Sequence, residues 1–174
     1  AKGVPGVVLV TSGPGATNVI TGVADAMIDS TPVVVIAGQV GTALLGTDAF
    51  QETDVLGMTI PITKWSYQIR RPEDIAWAVA RAFFIANSGR PGPVVLDFTR
   101  DAQVGFCEFD YKKCNFIRSY IPDPMPLEAD INKAVSMIDA ARKPFVVFGQ
   151  GVTLSGAEEQ LAAFLRKGDI PAGS

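Results

Sequence analysis

Two carboxylates four residues apart, Asp48 and Glu52, are a candidate pair for acid–base chemistry. On a helix this spacing would place both side chains on one face, where one could donate a proton and the other accept one. A solvated helix face with mild repulsion between like charges is the alternative that the spacing alone favours. Phe50 and Gln51 lie between them and could supply an aromatic wall and an amide that hydrogen-bonds a substrate, although an isolated phenylalanine more often belongs to a core.

The glycine-containing segment 13–18, which begins in a predicted turn over 12–15, is a candidate ligand-binding backbone. It reads Gly-Pro-Gly-Ala-Thr-Asn, follows a predicted strand and opens a predicted helix, like the first half of a dinucleotide-binding motif. Asn18 stands where the last glycine of that motif would be, and Pro14 removes one amide donor. Close approach of the backbone to another flat ligand is therefore favoured over a nucleotide phosphate, with a plain tight turn as the alternative.

Two further candidates are weaker. Arg90 lies between Gly89 and Pro91 at a predicted helix end and could hold a phosphate or a carboxylate, but a contact with the helix C-terminal dipole explains it equally well. A second glycine turn, Gly149-Gln150-Gly151, is at least as consistent with a simple connection between a strand and a helix.

Composition excludes several classes of chemistry. The sequence contains no histidine, which rules out Ser-His-Asp triads, Cys-His pairs and HExxH zinc sites. Cys107 and Cys114 cannot complete a four-ligand zinc site without histidine, so we expect free thiols in a reducing cytoplasm and predict no metal ligands. A net charge of −3 without a basic run argues against nucleic-acid and anionic-membrane partners. Neither a secretory signal nor a membrane span is predicted.

The elements that position these residues alternate between strands and helices. Continuous apolar runs over 6–11 and 33–37 predict strands covered on both faces of a parallel sheet, with a helix over 16–29 between them. A loop and short helix are expected around 48–57. Strands over 64–69 and 93–98 enclose a helix that opens at Pro72. This order predicts an α/β layer fold.

A domain boundary is predicted where the pattern becomes irregular. Residues 104–126 mix cysteines, lysines and aromatic residues and end in three closely spaced prolines, which is typical of a stiff linker. The predicted division is a first domain over 1–103, a linker over 104–126 and a second unit over 127–174. That unit is predicted to hold a helix near 131–138, a strand over 144–148 and a helix with a capping box formed by Ser155 and Glu158. It is short, and we expect a truncated domain with an incomplete core.

Four ordered motifs carry a family resemblance. They are Thr-Ser-Gly-Pro-Gly-Ala-Thr-Asn at 11–18, Val-Ile-Ala-Gly-Gln-Val at 35–40, Gly-Thr-Asp-Ala-Phe-Gln-Glu at 46–52 and Ser-Gly-Arg-Pro-Gly-Pro-Val-Val at 88–95. In this order the sequence resembles the large catalytic subunit of acetohydroxyacid synthase (acetolactate synthase), a thiamine-diphosphate-dependent family. The resemblance covers the whole chain. It implies a pyrimidine-binding domain that lacks its first elements, built as a three-layer parallel sheet with helices on both faces, followed by the truncated start of an α/β central domain of the FAD type.

The resemblance also implies an activity. Members decarboxylate pyruvate and condense it with a second 2-keto acid, giving 2-acetolactate or 2-aceto-2-hydroxybutyrate for the synthesis of isoleucine, valine and leucine. Implied cofactors are thiamine diphosphate, Mg²⁺ with ligands outside this chain, and FAD. Implied partners are pyruvate and 2-ketobutyrate, a second copy that forms a homodimer through the pyrimidine-binding domain, and a regulatory small subunit, in the cytoplasm.

Residue by residue, the resemblance places Pro14 and Asn18, with Gly13 and Gly15 of the same turn, against the pyrimidine ring of the cofactor. Phe50 and Gln51 match an aromatic-amide pair that projects toward the thiazolium ring and the substrate, and they are the candidate catalytic residues.

The remaining matches concern FAD and the substrate channel. Arg90 matches a residue that contacts FAD, and Gly149 and Gly151 are also assigned to cofactor binding. Arg100 stands where the family usually has a lysine at the mouth of the substrate channel. Gly41 stands where many members have a proline associated with herbicide contact, so inhibitor sensitivity is not transferred.

The family's catalytic glutamate lies on the segment before Ala1, and Glu52 does not align with it. We therefore expect this fragment alone to be inactive. Two alternatives stay open at this point. One is another thiamine-diphosphate decarboxylase, oxidase or acetyltransferase of the same architecture, against which the 46–52 motif argues. The other is a non-catalytic interaction module.

Overall fold

The structure of the protein is a computed structural model that describes residues 4–174. The chain forms two compact units that divide between Asp123 and Pro124. This break lies inside the predicted linker 104–126, and the assignment of each part to a domain type stays a prediction.

The first unit alternates strands and helices, as the sequence predicts. Its strands are β1 (Gly6–Val10), β2 (Val33–Gln39), β3 (Trp65–Ile69) and β4 (Pro93–Thr99). Its helices are α1 (Pro14–Asn18), α2 (Ile20–Ile28), α3 (Val55–Thr59), α4 (Ile75–Asn87) and α5 (Arg100–Val104). Short 3₁₀ turns cover Thr42–Leu44, Ile60–Ile62 and Pro72–Asp74.

All four strands are parallel and lie in the order β1-β2-β4-β3. The sheet is covered on both faces. Helix α4 packs over one face against Ile69 and Leu96, and α1, α2 and α3 pack over the other against Val35 and Val95. The predicted α/β class, with a parallel sheet between two helical layers, is confirmed. Because β4 lies inside the sheet and between both layers, all seven of its residues are buried.

The burial predicted for β1 is wrong. Its run of apolar residues led us to expect cover on both faces, yet Val7 and Val8 are exposed and Leu9 is 77% exposed. The strand order explains the difference, since β1 pairs only with β2 and forms the edge of the sheet described here.

The single helix predicted over 16–29 is two helices. Val19 ends α1 and begins α2, and its amide bonds to the carbonyl of Ala16 at 3.3 Å, three residues back, which tightens the turn. Val23 and Ala26 of α2 are buried against the sheet.

The second unit contains α6 (Glu128–Asp139), β5 (Val146–Val147), α7 (Gly151–Leu154), α8 (Glu158–Gly168) and β6 (Ala172–Gly173). The two short strands pair in parallel. The predicted capping box is wrong: the Ser155 hydroxyl donates back to the carbonyl of Gly151 at 2.8 Å and so closes α7, while α8 begins after Ala157 without a side-chain cap. In the second unit the side chain of Ile170, which follows α8, is buried.

Candidate active-site surface

The segment that carries the candidate catalytic residues is a strained turn, not a helix. Helix α3 begins only at Val55, and residues 46–54 form turns and extended backbone. Three of these residues have positive φ: Gly46 at 76°, Asp48 at 57° and Gln51 at 61°. Non-glycine residues in this region are strained and are held there by surrounding contacts. Because the helix does not form, Asp48 and Glu52 share no helix face, which removes the basis of both the candidate acid–base pair and the favoured solvated helix face.

The Glu52 carboxylate is engaged by the backbone of its own turn. It accepts hydrogen bonds from the amides of Gly46, Thr47 and Ala49, the last two at 3.1 and 3.2 Å. The Gly46 amide contributes most to holding the pKa of Glu52 below its usual value, and the other amides act in the same direction. Glu52 is therefore an ionised acceptor that shapes the turn, which neither the acid–base nor the solvated-helix interpretation predicted.

Phe50 and Gln51 lie at the tip of this turn with different environments. The Phe50 ring is 88% exposed and lines an open cavity of about 910 Å³, together with the ends of β1 and β2 and with Arg100 at the start of α5. The Gln51 backbone lies against Gly13. The turn over 46–52 and the start of α1 at Gly13 therefore meet at the carboxyl ends of β1 and β2.

The absence of a side chain at Gly13 allows the 46–52 turn to lie against the start of α1. Its φ is 53°, and a Cβ atom there would lie 2.7 Å from the carbonyl oxygen of Gln51, closer than real Cβ atoms approach. A Cβ atom at Gly15 would lie 2.8 Å from the Thr11 methyl group. The space beside both glycines is thus filled by this chain itself, whereas Pro14 and Asn18 are exposed.

A buried carboxylate that sequence reasoning missed links the sheet to this surface. Asp97 on β4 is 0% exposed, and its Oδ2 accepts hydrogen bonds from Gln68 Nε2 at 2.7 Å and from Gln39 Nε2 at 3.4 Å. The same Gln39 nitrogen donates to the carbonyl of Thr53 at 2.9 Å, which joins β2 to the residue that follows the 46–52 turn. Burial raises the pKa of Asp97 to about 6. A carboxylate within an otherwise apolar strand was the available signal, because such a group needs partners.

Arg100 and Gly41 lie on the cavity wall. Arg100 is exposed at the first position of α5. Its neighbour Asp101 accepts a hydrogen bond from the Thr42 amide, which joins α5 to the segment after β2. The Thr42 side chain, and then this amide, hold the pKa of Asp101 below its usual value. Gly41 faces this carboxylate, since a Cβ atom there would lie 3.6 Å from Asp101 Oδ2.

Arg90 binds the end of a helix, although not of the helix that precedes it. Its Nη2 donates to the carbonyl of Ile28 at 2.9 Å and to that of Met27 at 3.2 Å, and its Nε donates to the Ser30 hydroxyl at 2.8 Å. It therefore satisfies carbonyls at the C-terminus of α2, in agreement with the dipole interpretation.

The other predicted sites are in separate places. Gly149 and Gly151 flank the start of α7 in the second unit, with open space where a Cβ atom would lie. Cys107 and Cys114 are free thiols. Within residues 4–174, no three acidic, cysteine or histidine side chains cluster as a metal site would require. None of the helices described there is long and apolar enough to cross a membrane.

Two family models match the chain in the order of its two units. Residues 1–58 match the thiamine pyrophosphate enzyme N-terminal TPP binding domain, and residues 131–174 match the central domain of the same enzymes. The chain belongs to the thiamine pyrophosphate enzyme family. Thiamine pyrophosphate is thiamine diphosphate, so the predicted family is confirmed.

Curated relatives that match this chain include proteins named acetolactate synthase. The acetolactate synthase large subunit of Corynebacterium glutamicum is 46% identical over 95% of this chain and 26% of its own length. The acetolactate synthase isozyme 3 large subunit of Escherichia coli is 43% identical over 98% of the chain and 30% of its length. A probable acetolactate synthase large subunit of Methanocaldococcus jannaschii is 44% identical over 98% of this chain and 29% of its own length. The chain thus spans less than a third of these relatives.

Proposed function

We propose that the complete protein containing this chain is an acetolactate synthase, which decarboxylates pyruvate and joins it to a second 2-keto acid for branched-chain amino-acid synthesis. One observation carries the proposal. The segment 13–18, which contains α1, and the turn over 46–52 lie against each other at the carboxyl ends of β1 and β2, where parallel sheets bind ligands. Pro14, Asn18 and Phe50 are exposed there. The relatives named acetolactate synthase align with this whole region.

This surface fits one side of a flat aromatic cofactor. Because the spaces beside Gly13 and Gly15 are filled by the chain, contact with a pyrimidine ring would come from Pro14 and Asn18 rather than from bare glycine backbone. The proline supplies an apolar face and the asparagine an amide that both donates and accepts. When bound, thiamine diphosphate supplies the carbon nucleophile for decarboxylation and transfer.

Phe50 and Gln51 would form the wall on which the keto acid is oriented. The exposed Phe50 ring excludes water beside an apolar group, and the Gln51 amide hydrogen-bonds a carbonyl or carboxylate oxygen. Arg100, on the same cavity as Phe50, attracts the carboxylate of an entering pyruvate or 2-ketobutyrate. Its guanidinium can bind that carboxylate through two parallel hydrogen bonds, which a lysine cannot.

FAD and Mg²⁺ complete the proposed cofactor set. The open backbone at Gly149 and Gly151 would admit FAD closely, which suits the assignment of residues 127–174 to a central FAD-type domain. Arg90 would contact FAD through the part of its guanidinium that does not cap α2. The Mg²⁺ ligands would come from outside this chain.

The proposed assembly follows from the open site. The cofactor surface of residues 1–103 is one-sided, so a homodimer through this domain would close it. The relatives' designation as large subunits supports a small regulatory subunit as a further partner. We place the protein in the cytoplasm and expect the 174-residue chain alone to be inactive, because it offers one wall of a site.

The test is acetolactate formation from pyruvate by the complete protein, with thiamine diphosphate, Mg²⁺ and FAD each omitted in turn. Product that requires all three supports the proposal. Decarboxylation or oxidation of pyruvate without acetolactate would contradict it and indicate another thiamine diphosphate enzyme of the same fold.

A further inference from the structure

We propose that Glu52 is a positioning residue, whose carboxylate holds the 46–52 turn in the one conformation that presents Phe50 and Gln51 to the substrate. The inference rests on the proposed function for the role of those two side chains. The inference that Glu52 fixes the conformation of the turn rests on the structure alone.

The turn needs stabilising contacts of this kind because its backbone is strained. Asp48 and Gln51 both adopt left-handed conformations, which side chains disfavour, within four residues of each other. Neither residue is the glycine that such positions favour, and only Gly46 in this turn is. A segment of this kind keeps one conformation only where other contacts determine it.

The contacts that determine it converge on one carboxylate. Three amide donors, from Gly46, Thr47 and Ala49, point to the two oxygens of Glu52, and the Glu52 amide returns a bond to the Ala49 carbonyl at 2.9 Å. Bonds from an amide to an ionised carboxylate are stronger than those between neutral groups. Because these bonds close the chain on both sides of Phe50, the ring at the tip is turned outward, where it is 88% exposed.

Two other anchors fix where the turn sits but not its internal shape. The Gln51 backbone packs on Gly13, and the Thr53 carbonyl accepts from Gln39 at 2.9 Å. Both would survive the loss of the Glu52 charge. Removing it should therefore loosen the tip while the turn stays attached to the sheet, so activity should suffer more than stability.

The substitution Glu52→Gln tests this in the complete protein. The amide group keeps the size of the side chain but replaces an acceptor oxygen with a donor that faces other donors. We expect kcat for acetolactate to fall by about tenfold or more, the cost of slightly misplaced groups, while the thermal unfolding midpoint stays close to the wild-type value. Asp48→Asn is the matched control, since it removes the same charge from the same turn and asparagine tolerates a positive φ. Its kcat should stay near wild type.

Amide proton shifts of the complete protein, with isotope labels at glycine, threonine and alanine, give a readout independent of activity. In the wild type, Gly46, Thr47 and Ala49 should show low-field amide protons, which move upfield in Glu52→Gln and stay in Asp48→Asn. Unchanged amide shifts in Glu52→Gln would overturn the hold on the turn. Changed shifts with an unchanged kcat would overturn the positioning role. If the wild-type complete protein makes no acetolactate, the proposed function fails and the positioning role fails with it, while the amide shifts still decide whether Glu52 holds the turn.

Discussion

The two units of this chain differ in how they bury apolar surface. In the first, β4 is covered by strands on both sides and by helices on both faces, and every one of its residues is buried. In the second, β5 has two residues and one strand partner, and Val147 is 79% exposed. Apolar side chains of α6 and α8, such as Val135 and Phe164, are exposed as well. A core thus depends less on apolar composition than on having layers on both sides of a sheet.

This difference bears on function. Residues that must keep fixed positions toward a ligand need a rigid support. The segment 13–18 and the turn over 46–52 are attached to the well-packed sheet of the first unit. We therefore expect substitutions in the first unit to have the larger effects, both on stability and on the candidate site.

The largest difference is expected between Leu96→Ala and Val147→Ala. Leu96 is 0% exposed within the core over one face of the sheet, and its truncation should lower the free energy of unfolding by about 3–5 kcal/mol through lost burial and the cavity left behind. Val147→Ala should change it by about 0.5 kcal/mol or less, as exposed positions do. Urea denaturation followed by tryptophan fluorescence measures the first unit, and circular dichroism measures both. Equal losses of unfolding free energy in the two variants would contradict the expected difference between the two units.

The buried carboxylate predicts an unusual pH dependence for the first unit. In the folded state burial raises the pKa of Asp97 from 3.8 to about 6, against the hydrogen bonds from Gln68 and Gln39, so folding favours its protonated form. This contribution to stability is present below pH 3.8 and is lost as pH rises through 6. Its full size is about 3 kcal/mol.

Asp97→Asn isolates that contribution, because other carboxylates titrate alike in both proteins. The free energy of unfolding of the variant minus that of the wild type should rise by up to about 3 kcal/mol between pH 4 and pH 7. Chemical denaturation at several pH values measures it. A flat difference would show that Asp97 is ionised in the folded protein at its ordinary pKa.

Substitutions at two glycines test whether the two units also differ in how closely the chain packs against its own backbone. Gly13→Ala should cost about 2 kcal/mol or more, since its φ is positive and the new Cβ would strike the Gln51 backbone. Gly149→Ala in the second unit meets open space and should change stability by well under about 1 kcal/mol. Thermal unfolding of the two variants side by side measures the difference, and a loss at Gly149 as large as that at Gly13 would contradict it.

The smallest expected effect compares two cations at helix C-termini. Arg90→Ala removes three hydrogen bonds from the end of α2 and should cost about 1 kcal/mol. Arg166→Ala, in the last turn of α8, removes an exposed charge near the dipole and should cost about 0.3 kcal/mol. Denaturation in low and high salt separates the two, since only the Arg166 effect should vanish in high salt.

Local sequence patterns predicted the fold well where burial is continuous. The runs over 33–37 and 93–98 are strands of the sheet, and a helix follows Pro72 as predicted, with Ala82 and Ala86 buried. The same logic failed at residues 6–11, because whether an apolar strand is covered depends on its place in the sheet and not on its own composition.

The candidate site was less predictable, because its contacts join distant segments. Spacing suggested a helix for Asp48 and Glu52, but the hydrogen bonds that three amides donate to Glu52 favour a turn that no periodicity encodes. The link between Asp97 and Gln39 spans 58 residues and exists only after β2 and β4 pair. The reason for Gly13 was likewise hidden, since its neighbour is the backbone of Gln51.

The most direct test of the account compares two exposed phenylalanines of the first unit in the complete protein. Phe50 is 88% exposed at the candidate site, and Phe106 is 98% exposed after α5. Acetolactate formation from pyruvate should fall by about tenfold or more in Phe50→Ala, because the wall that orients the keto acid is lost, and stay near the wild-type rate in Phe106→Ala. Equal rates for Phe50→Ala and the wild type would contradict the claim that the 46–52 turn forms part of the active site.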